Sequence, residues 1–237
     1  MNEIIRGRKS IRKFDMTPLP ADTLEAVRAQ IGGVKPLYPH IKYAIGIAGK
    51  TKGMFNIKAP HYLVFSSAEM DGAPENIGFI GQQLDLWLSA SGLGACWLGV
   101  AKPDETESRE AGGLPHMICM AFGKPAEPLH RELSQFNRKA LAEISEGEDS
   151  RLEAARLAPS GMNAQNWYFV AQDGKIHCYC KQLNPLKALM LGKMAPIDLG
   201  IAICHIAEET SEFRFAKEAD APERKGYTYY GTVMRGR

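Results

Sequence analysis

The chain predicts an α+β fold, on three observations. An order of helix, strand and helix occurs twice along its 237 residues. The strand candidates are short aromatic and β-branched runs bounded by turn residues. The helix candidates carry apolar residues three and four positions apart. At this length folding buries roughly 70–75% of the unfolded chain's surface, enough for a core without covalent staples. The composition, 45% hydrophobic and 24% charged, is that of an average globular protein.

Residues 2–8 read as a short helix, and Pro18, Leu19 and Pro20 then break the chain. ADTLEAVRAQI places Leu24, Val27 and Ile31 at helical spacing, and Gly32 and Gly33 end that helix. Residues 34–58, rich in Gly, Pro and Lys, read as a long loop. HYLVFSSA, 61–68, reads as a strand. PENIGFIGQQLDLWLSASGLG, 74–94, is a helix with Ile77, Ile80, Leu84, Trp87 and Leu88 along one stripe and Gly92 and Gly94 at its end. GACWLGV, 94–100, reads as a tight connecting segment. HMICMAFG, 116–123, is a strand apolar throughout and so buried on both faces. The polar residues 124–150 read as a connector with a short helix at 139–145.

The chain then begins again. SRLEAARLAPSG is helical up to Pro159, WYFVAQ and GKIHCYCKQ are strands, and PIDLGIAICHIAEE is an apolar helix with Pro196 near its first turn. GYTYYGTV is a terminal strand. DTLEAVR at 22–28 matches SRLEAAR at 150–156, PHYLV at 60–64 resembles NWYFV at 166–170, and IGQQL at 80–84 resembles LGIAI at 199–203. The expectation is an internal duplication into halves 1–145 and 146–237 that form one compact unit. A period above 100 residues is not that of a solenoid.

A net charge of +2 without a long basic run argues against nucleic acid as a partner. The five cysteines, Cys96, Cys119, Cys178, Cys180 and Cys204, are odd in number and scattered, and read as reduced thiols of a cytoplasmic protein. MNEIIRGRKS has no apolar signal region, and no apolar run reaches the ~18 residues that span a bilayer. His116, His130, His177 and His205 show no metal-ligand spacing, and His205 reads as a satisfied core histidine. There is no P-loop and no G-x-S-x-G elbow.

Two segments carry chemistry. Arg8, Ser10 and Arg12 share one face of an extended stretch. Two guanidiniums and a hydroxyl can cradle a phosphate, although the same residues also read as a solvated basic helix end. In APSGMNAQNW, 158–167, Pro159 stops a helix, and Ser160, Gly161 and Asn163 form a turn rich in backbone N–H groups. By itself that turn also reads as an ordinary helix end.

Together these segments resemble the FMN-dependent nitroreductase family. The matching motifs are R-x-S-x-R-x-F at 8–14, G-L-G-x-C-W-L-G at 92–99, AFGKP at 121–125 followed by Arg138-Lys139, and A-P-S-x-x-N-x-Q-x-W at 158–167. The resemblance implies a mainly antiparallel central sheet flanked by helices, with FMN as cofactor. Arg8, Ser10 and Arg138 would hold its phosphate, and Arg12 would offset the negative charge of the reduced ring at its pyrimidine edge. Leu98 and Gly99 would bring backbone N–H groups towards the ring, and Pro159, Ser160, Gly161 and Asn163 would close over it. Asn166 stands where the family usually has proline. Trp97, Trp167 and Met162 could contact a flavin but read first as core and gap-filling residues.

Family members are usually homodimers whose flavin sites straddle the interface. Here the first half has R-x-S-x-R but AQIGGVKPL in place of the second motif, and the second half has A-P-S-x-x-N without R-x-S-x-R. The resemblance therefore implies a single-chain pseudo-dimer with one FMN, either monomeric or a weak homo-oligomer. It also implies a C-terminal strand added to the other half's sheet. The implied activity is ping-pong hydride transfer from NADH or NADPH to a nitroaromatic, quinone or similar small acceptor, with no catalytic proton-transfer residue. A different flavin reaction on the same scaffold, such as dehalogenation or flavin breakdown, and flavin binding without turnover are the alternatives.

Overall fold

The computed structural model describes residues 3–53, 57–103, 113–183 and 194–236. The described chain begins with the single turn α1 (Glu3–Gly7), followed by α2 (Ala21–Gly33), which starts after Pro20 and buries Val27. Then come β1 (Tyr43–Ala48), the short β2 (Thr51–Lys52), β3 (His61–Ser67) and α3 (Ala73–Ala90). β4 (Gly94–Leu98), β5 (Lys102–Pro103) and β6 (His116–Gly123) follow. The linking region holds α4 (Leu141–Ile144), β7 (Ser145–Glu146) and α5 (Leu152–Leu157). The hairpin β8 (Trp167–Gln172) and β9 (Lys175–Lys181), then α6 (Met194–Glu208), β10 (Phe213–Ala216) and β11 (Tyr227–Arg235), complete the described elements.

The strands form two sheets, with β2 and β5 making a small ribbon apart from them. One sheet runs β1-β3-β6-β4 and is antiparallel throughout. The other runs β10-β11-β9-β8-β7 and is antiparallel except for the edge pair β7 and β8. The α+β, antiparallel architecture expected from the sequence is present in this two-sheet form.

α3 and α6 lie side by side between the sheets. Both are buried on nearly every side; α6 is apolar almost throughout, while α3 also buries Glu75, Asn76, Gln82 and Asp85. Each has a glycine where the other's backbone passes. A Cβ on Gly78 would collide with the carbonyl of Ile197, and one on Gly200 with the carbonyl of Glu75. Gly78 and Gly200 are 122 residues apart, as are Glu75 and Ile197. The contact is therefore reciprocal between the two helices. The sheets repeat the pattern: the run β1, β3, helix, β4, β6 folds as β1-β3-β6-β4, and β8, β9, helix, β10, β11 folds as β8-β9-β11-β10.

Several elements differ from the sequence reading. Residues 34–58 contain β1 and β2. Gly46 interrupts the β-branched pattern of β1, and the strand is only partly buried at the sheet edge. GACWLGV contributes β4, because Gly94 lets the chain lie against Ile11, whose side chain a Cβ would meet at 2.7 Å. β11 does not join the other half's sheet; it pairs with β9 and β10 of its own. By topology the counterpart of β3 is β9 rather than β8, so the match of PHYLV to NWYFV is one strand out of step. The helices correspond at an offset of 122, where IGQQL against LGIAI gives 119.

The main core joins both sheets through α3 and α6 and includes Phe65, Ile80, Met120, Phe169, Ile201 and Val233. A second apolar layer lies on the outer face of the first sheet, where Ile11 and Phe14 cover Tyr62, Val64, Leu98 and Cys119. That layer pins the N-terminal segment down. Ile11 N–H donates to the Ala95 carbonyl at 2.9 Å, and the N–H groups of Asp15 and Ala126 bond the carbonyls of Lys124 and Lys13, each at 2.9 Å. No helix among the described residues is long and apolar enough to cross a membrane.

Candidate functional site

Because Ile11 is driven into the sheet, its neighbours Ser10 and Arg12 face the other way. They meet the turn that follows α5. Between them lies a cavity of about 330 Å³, walled by Ser10 and Arg12, by Trp97 and Gly99 at the end of β4, by Pro159–Met162, and by Ile197, Asp198 and Ile201 of α6. Arg12, Ser10, Pro159, Ser160 and Met162 also border a second cavity of about 300 Å³. The first is largely apolar. The second carries Lys9, Arg12, Arg131 and Arg138, and Glu127 is the one carboxylate among the described residues lining it.

Glu127 secures the N-terminal segment. One oxygen accepts from the N–H groups of Arg12 at 2.7 Å and Lys13 at 3.1 Å, and the other faces Lys9 Nζ at 3.5 Å. These bonds, that from Arg12 foremost, hold its pKa below the usual carboxylate value. The cations opposite are crowded. Burial, then the neighbouring Arg131 and Arg8, pushes the Arg138 pKa down to about 10. Burial, then Arg8 and Arg12, does the same to Arg131, also about 10. Cations that depress one another in this way favour an anion between them.

The turn is held from several sides. Arg138 Nε donates to the Ala158 carbonyl at 3.0 Å and Nη1 to Asn163 Oδ1 at 2.5 Å, while Asn163 Nδ2 donates to the Asn137 carbonyl at 2.8 Å. Ser160 Oγ accepts from Gln165 N–H at 3.0 Å. Met162, Asn163 and Gln165 have φ of 52°, 56° and 46°, left-handed values that non-glycine residues adopt only under such restraint. Gly161 N–H donates to both carboxylate oxygens of Asp198, at 2.9 and 3.1 Å. Burial pushes the Asp198 pKa up to about 7. A Cβ at 161 would come within 2.6 Å of Met194 Cε, so the methionine side chain would have to move aside.

The predicted site residues fall into two groups. Ser10, Arg12, Gly99, Pro159, Ser160 and Gly161 line the main cavity, while Arg138 and Asn163 line the basic one. Leu98 lies with Gly99 on a smaller adjoining cavity of about 160 Å³, its side chain buried beneath the N-terminal segment. Arg8 borders neither main nor basic cavity. It is 1% exposed, ion-paired through Nε with Asp85 Oδ2 at 2.9 Å, and reaches the wall through Ser10 Oγ at 3.5 Å. Its Nη1 is buried without a hydrogen-bond partner.

Trp97 lines the main cavity, stacks on Phe65 and donates through Nε1 to Gln82 Oε1 at 3.2 Å. Trp167 is buried away from it. Met162 is 84% exposed at the junction of the two cavities. His205 is buried and satisfied: Nδ1 donates to the Ala154 carbonyl at 2.9 Å, which leaves Nε2 to accept from the Gln82 amide at 3.0 Å. Burial lowers its pKa to about 3. No group of three or more His, Cys, Asp or Glu side chains among the described residues could hold a metal. Sequence reasoning missed Arg131 and Asp198. An aspartate in the otherwise apolar run PIDLGIAICHI was the available signal for the second; Arg131 had none.

The family model described as "Putative TM nitroreductase" matches residues 1–209. The solved structure of the Thermotoga maritima protein of that description is 22% identical, covers 98% of this chain and 92% of its own, and superposes with a TM-score of 0.65. A nitroreductase family protein from Clostridium difficile is 17% identical over 63% of this chain and 99% of its own, with a TM-score of 0.46. An FMN-dependent nitroreductase from Clostridium difficile is 16% identical over 56% and 93%, with a TM-score of 0.43. No curated protein matches. With its family model matched from the first residue to 209 and its fold shared with the Thermotoga maritima protein along almost the whole chain, this protein belongs to the nitroreductase family that the model describes.

Proposed function

We propose that the protein is an FMN-dependent oxidoreductase that takes electrons from NADH or NADPH and reduces a nitroaromatic, a quinone or a similar small acceptor. One observation carries the reading. A segment of the first half, Ser10 and Arg12, and a turn of the second, Pro159–Met162, wall one apolar cavity that opens onto a cluster of four cations. An apolar slot joined to a cationic pocket suits a flat ring with a phosphate tail.

Lys9, Arg131 and Arg138 would hold the phosphate. Ser10 would present its hydroxyl to the same group, with Arg8 behind it. Arg12, shared by both cavities, places a positive charge where the ring and tail of the cofactor would join. Pro159, Ser160, Gly161 and Asn163 would close the ring side, with Trp97 and Gly99 opposite. Bound FMN would supply two-electron transfer, and the chain's part is to bind, orient and exclude water.

The shared strand order and the reciprocal Gly78 and Gly200 contacts support halves at 1–145 and 146–237 packed as two subunits would be, with one chain supplying both sides of a single site. The test is an absorbance spectrum of the purified protein after incubation with FMN, followed by NADH or NADPH oxidation in the presence of a quinone or a nitroaromatic. A flavin spectrum that survives desalting, together with acceptor-dependent oxidation, is the expected result. A colourless protein that takes up no FMN overturns the proposal.

A further inference from the structure

The main cavity contains a carboxyl group whose part in binding is still unassigned. Asp198, 6% exposed, lies on the cavity wall among Met194, Ile197 and Ile201 of its own helix. Its hydrogen-bond partner among the described residues is the Gly161 amide. The charged and titratable groups around it do not neutralise it. Arg12 of the N-terminal segment lines the same cavity, and no ion pair joins it to Asp198 among the described residues. Cys96 of β4 and Cys180 of β9 are thiols whose pKa burial raises. Glu75 of α3, packed backbone to backbone on Gly200, is an acid whose pKa burial also raises.

A buried carboxyl without a cation keeps its proton to higher pH, and here burial brings the pKa to about 7. The Gly161 amide needs one oxygen. The other, once protonated, has the cavity in front of it.

We propose that Asp198 is a specificity-determining residue of the cavity: in its acid form it keeps the Gly161 amide with one oxygen and donates a hydrogen bond from the other to a carbonyl oxygen or ring nitrogen of a flat bound ligand. This rests on the flavin reading of the site. In the acid form, ligands whose facing edge accepts a hydrogen bond are selected over ligands that present an N–H there, since two donors would then face each other; ionisation reverses that preference, because a carboxylate can only accept.

The test uses Asp198→Asn, whose amide copies the acid form at every pH. Riboflavin and FMN are titrated against parent and variant from pH 5.5 to 9, riboflavin being free of the phosphate's own ionisation near pH 6. The parent's dissociation constant for riboflavin should rise on the order of tenfold across this range, the worth of about one hydrogen bond. The asparagine variant should hold the low-pH affinity throughout. A variant that follows the parent's pH dependence, or that binds on the order of tenfold more weakly at pH 6, overturns the proposal. If neither protein binds flavin at any pH, it is the cofactor reading that fails. The carboxyl carbon-13 shift of Asp198 in the ligand-free protein then decides: a midpoint near 7 supports the donor, and one in the ordinary carboxylate range refutes it.

Discussion

Arg8 and Arg131 bring the same charge to the same corner of the molecule, with different consequences on removal. Arg8 is enclosed and faces Asp85, itself fully buried, whose pKa burial raises and Arg8 lowers. Arg8→Ala would strand that carboxyl, and breaking a buried pair in this way costs about 3–5 kcal/mol. The expected outcome is a large drop in the denaturant midpoint, with any loss of flavin secondary to it. Arg131 is only half-buried, packs over Phe136 at 4.0 Å and lines the basic cavity. Arg131→Ala should leave the midpoint near the parent's and weaken FMN binding on the order of tenfold to a hundredfold, the loss of one charge-assisted bond. Denaturation and flavin titration on both variants separate the two roles. Asp198 gives a pH signature at the same scale. Its pKa is raised in the folded state to about 7, so across pH 4 to 7 the folded chain keeps a proton that the unfolded chain has released. Stability therefore falls as pH rises through that window and levels off above it, by up to roughly 4 kcal/mol. In Asp198→Asn this slope disappears. Urea melts of parent and variant at pH 5 and pH 8 measure the difference, and His205, neutral and unchanged in both, cancels from it.

α3 and α6 show what the sequence discloses and what it hides at the level of the element. α3 was legible from its apolar stripe and α6 from its nearly continuous apolar run, and Gly92 and Pro196 mark an end and a start. Their mutual register was hidden, since Gly78 and Gly200 read locally as weak points and gain their meaning only from the opposing backbone. β1 and β4 were missed for a related reason: Gly46 and Gly94 break a strand pattern that pairing with β3 and β6 restores. The site divides along the same line. Ser10, Arg12 and Ser160–Asn163 sit in short contiguous motifs, whereas Arg131 and Asp198 arrive from elements that only folding brings there. The glycines allow a direct test. Gly78→Ala places a methyl against the Ile197 carbonyl, and overpacking of this kind costs about 1–3 kcal/mol, more than the gain in helix propensity of at most about 1 kcal/mol. Gly32→Ala, near the end of α2, meets nothing within 4 Å and should be neutral or stabilising. Equal destabilisation by both substitutions would show that close approach of the two helices does not decide the outcome.

At the scale of the molecule, the proposed duplication implies a second place where a ligand could lie, and charge decides against a flavin there. The main cavity opens at the start of α6. The corresponding position at the start of α3 is a cavity of about 320 Å³, close to the 330 Å³ of the first, walled by Pro74 and Glu75 and, from the other half, by Pro196, Lys217, Tyr229 and Tyr230. In this second cavity Asp71 and Glu75 contribute carboxyl groups and Lys217 is the one cation among the described residues lining it, where the first opens onto Lys9, Arg12, Arg131 and Arg138. One oxygen of Glu75 is buried there without a hydrogen-bond partner. A phosphate dianion would meet carboxylates at short range with little to offset them, and like charges in a partly buried site repel by several kcal/mol. The second half also has no R-x-S-x-R motif ahead of α5, the helix that matches α2 in sequence, to play the part of Ser10 and Arg12. On the duplication proposed here, one copy of the site was kept and its twin lost the residues for an anion. Titration of the chain with FMN should therefore saturate at one flavin per polypeptide. The ratio should stay the same on dilution, since both walls of the site belong to one chain. Two equivalents at saturation would mean that the acidic cavity also accepts the cofactor, and one flavin per two chains would place the site between molecules.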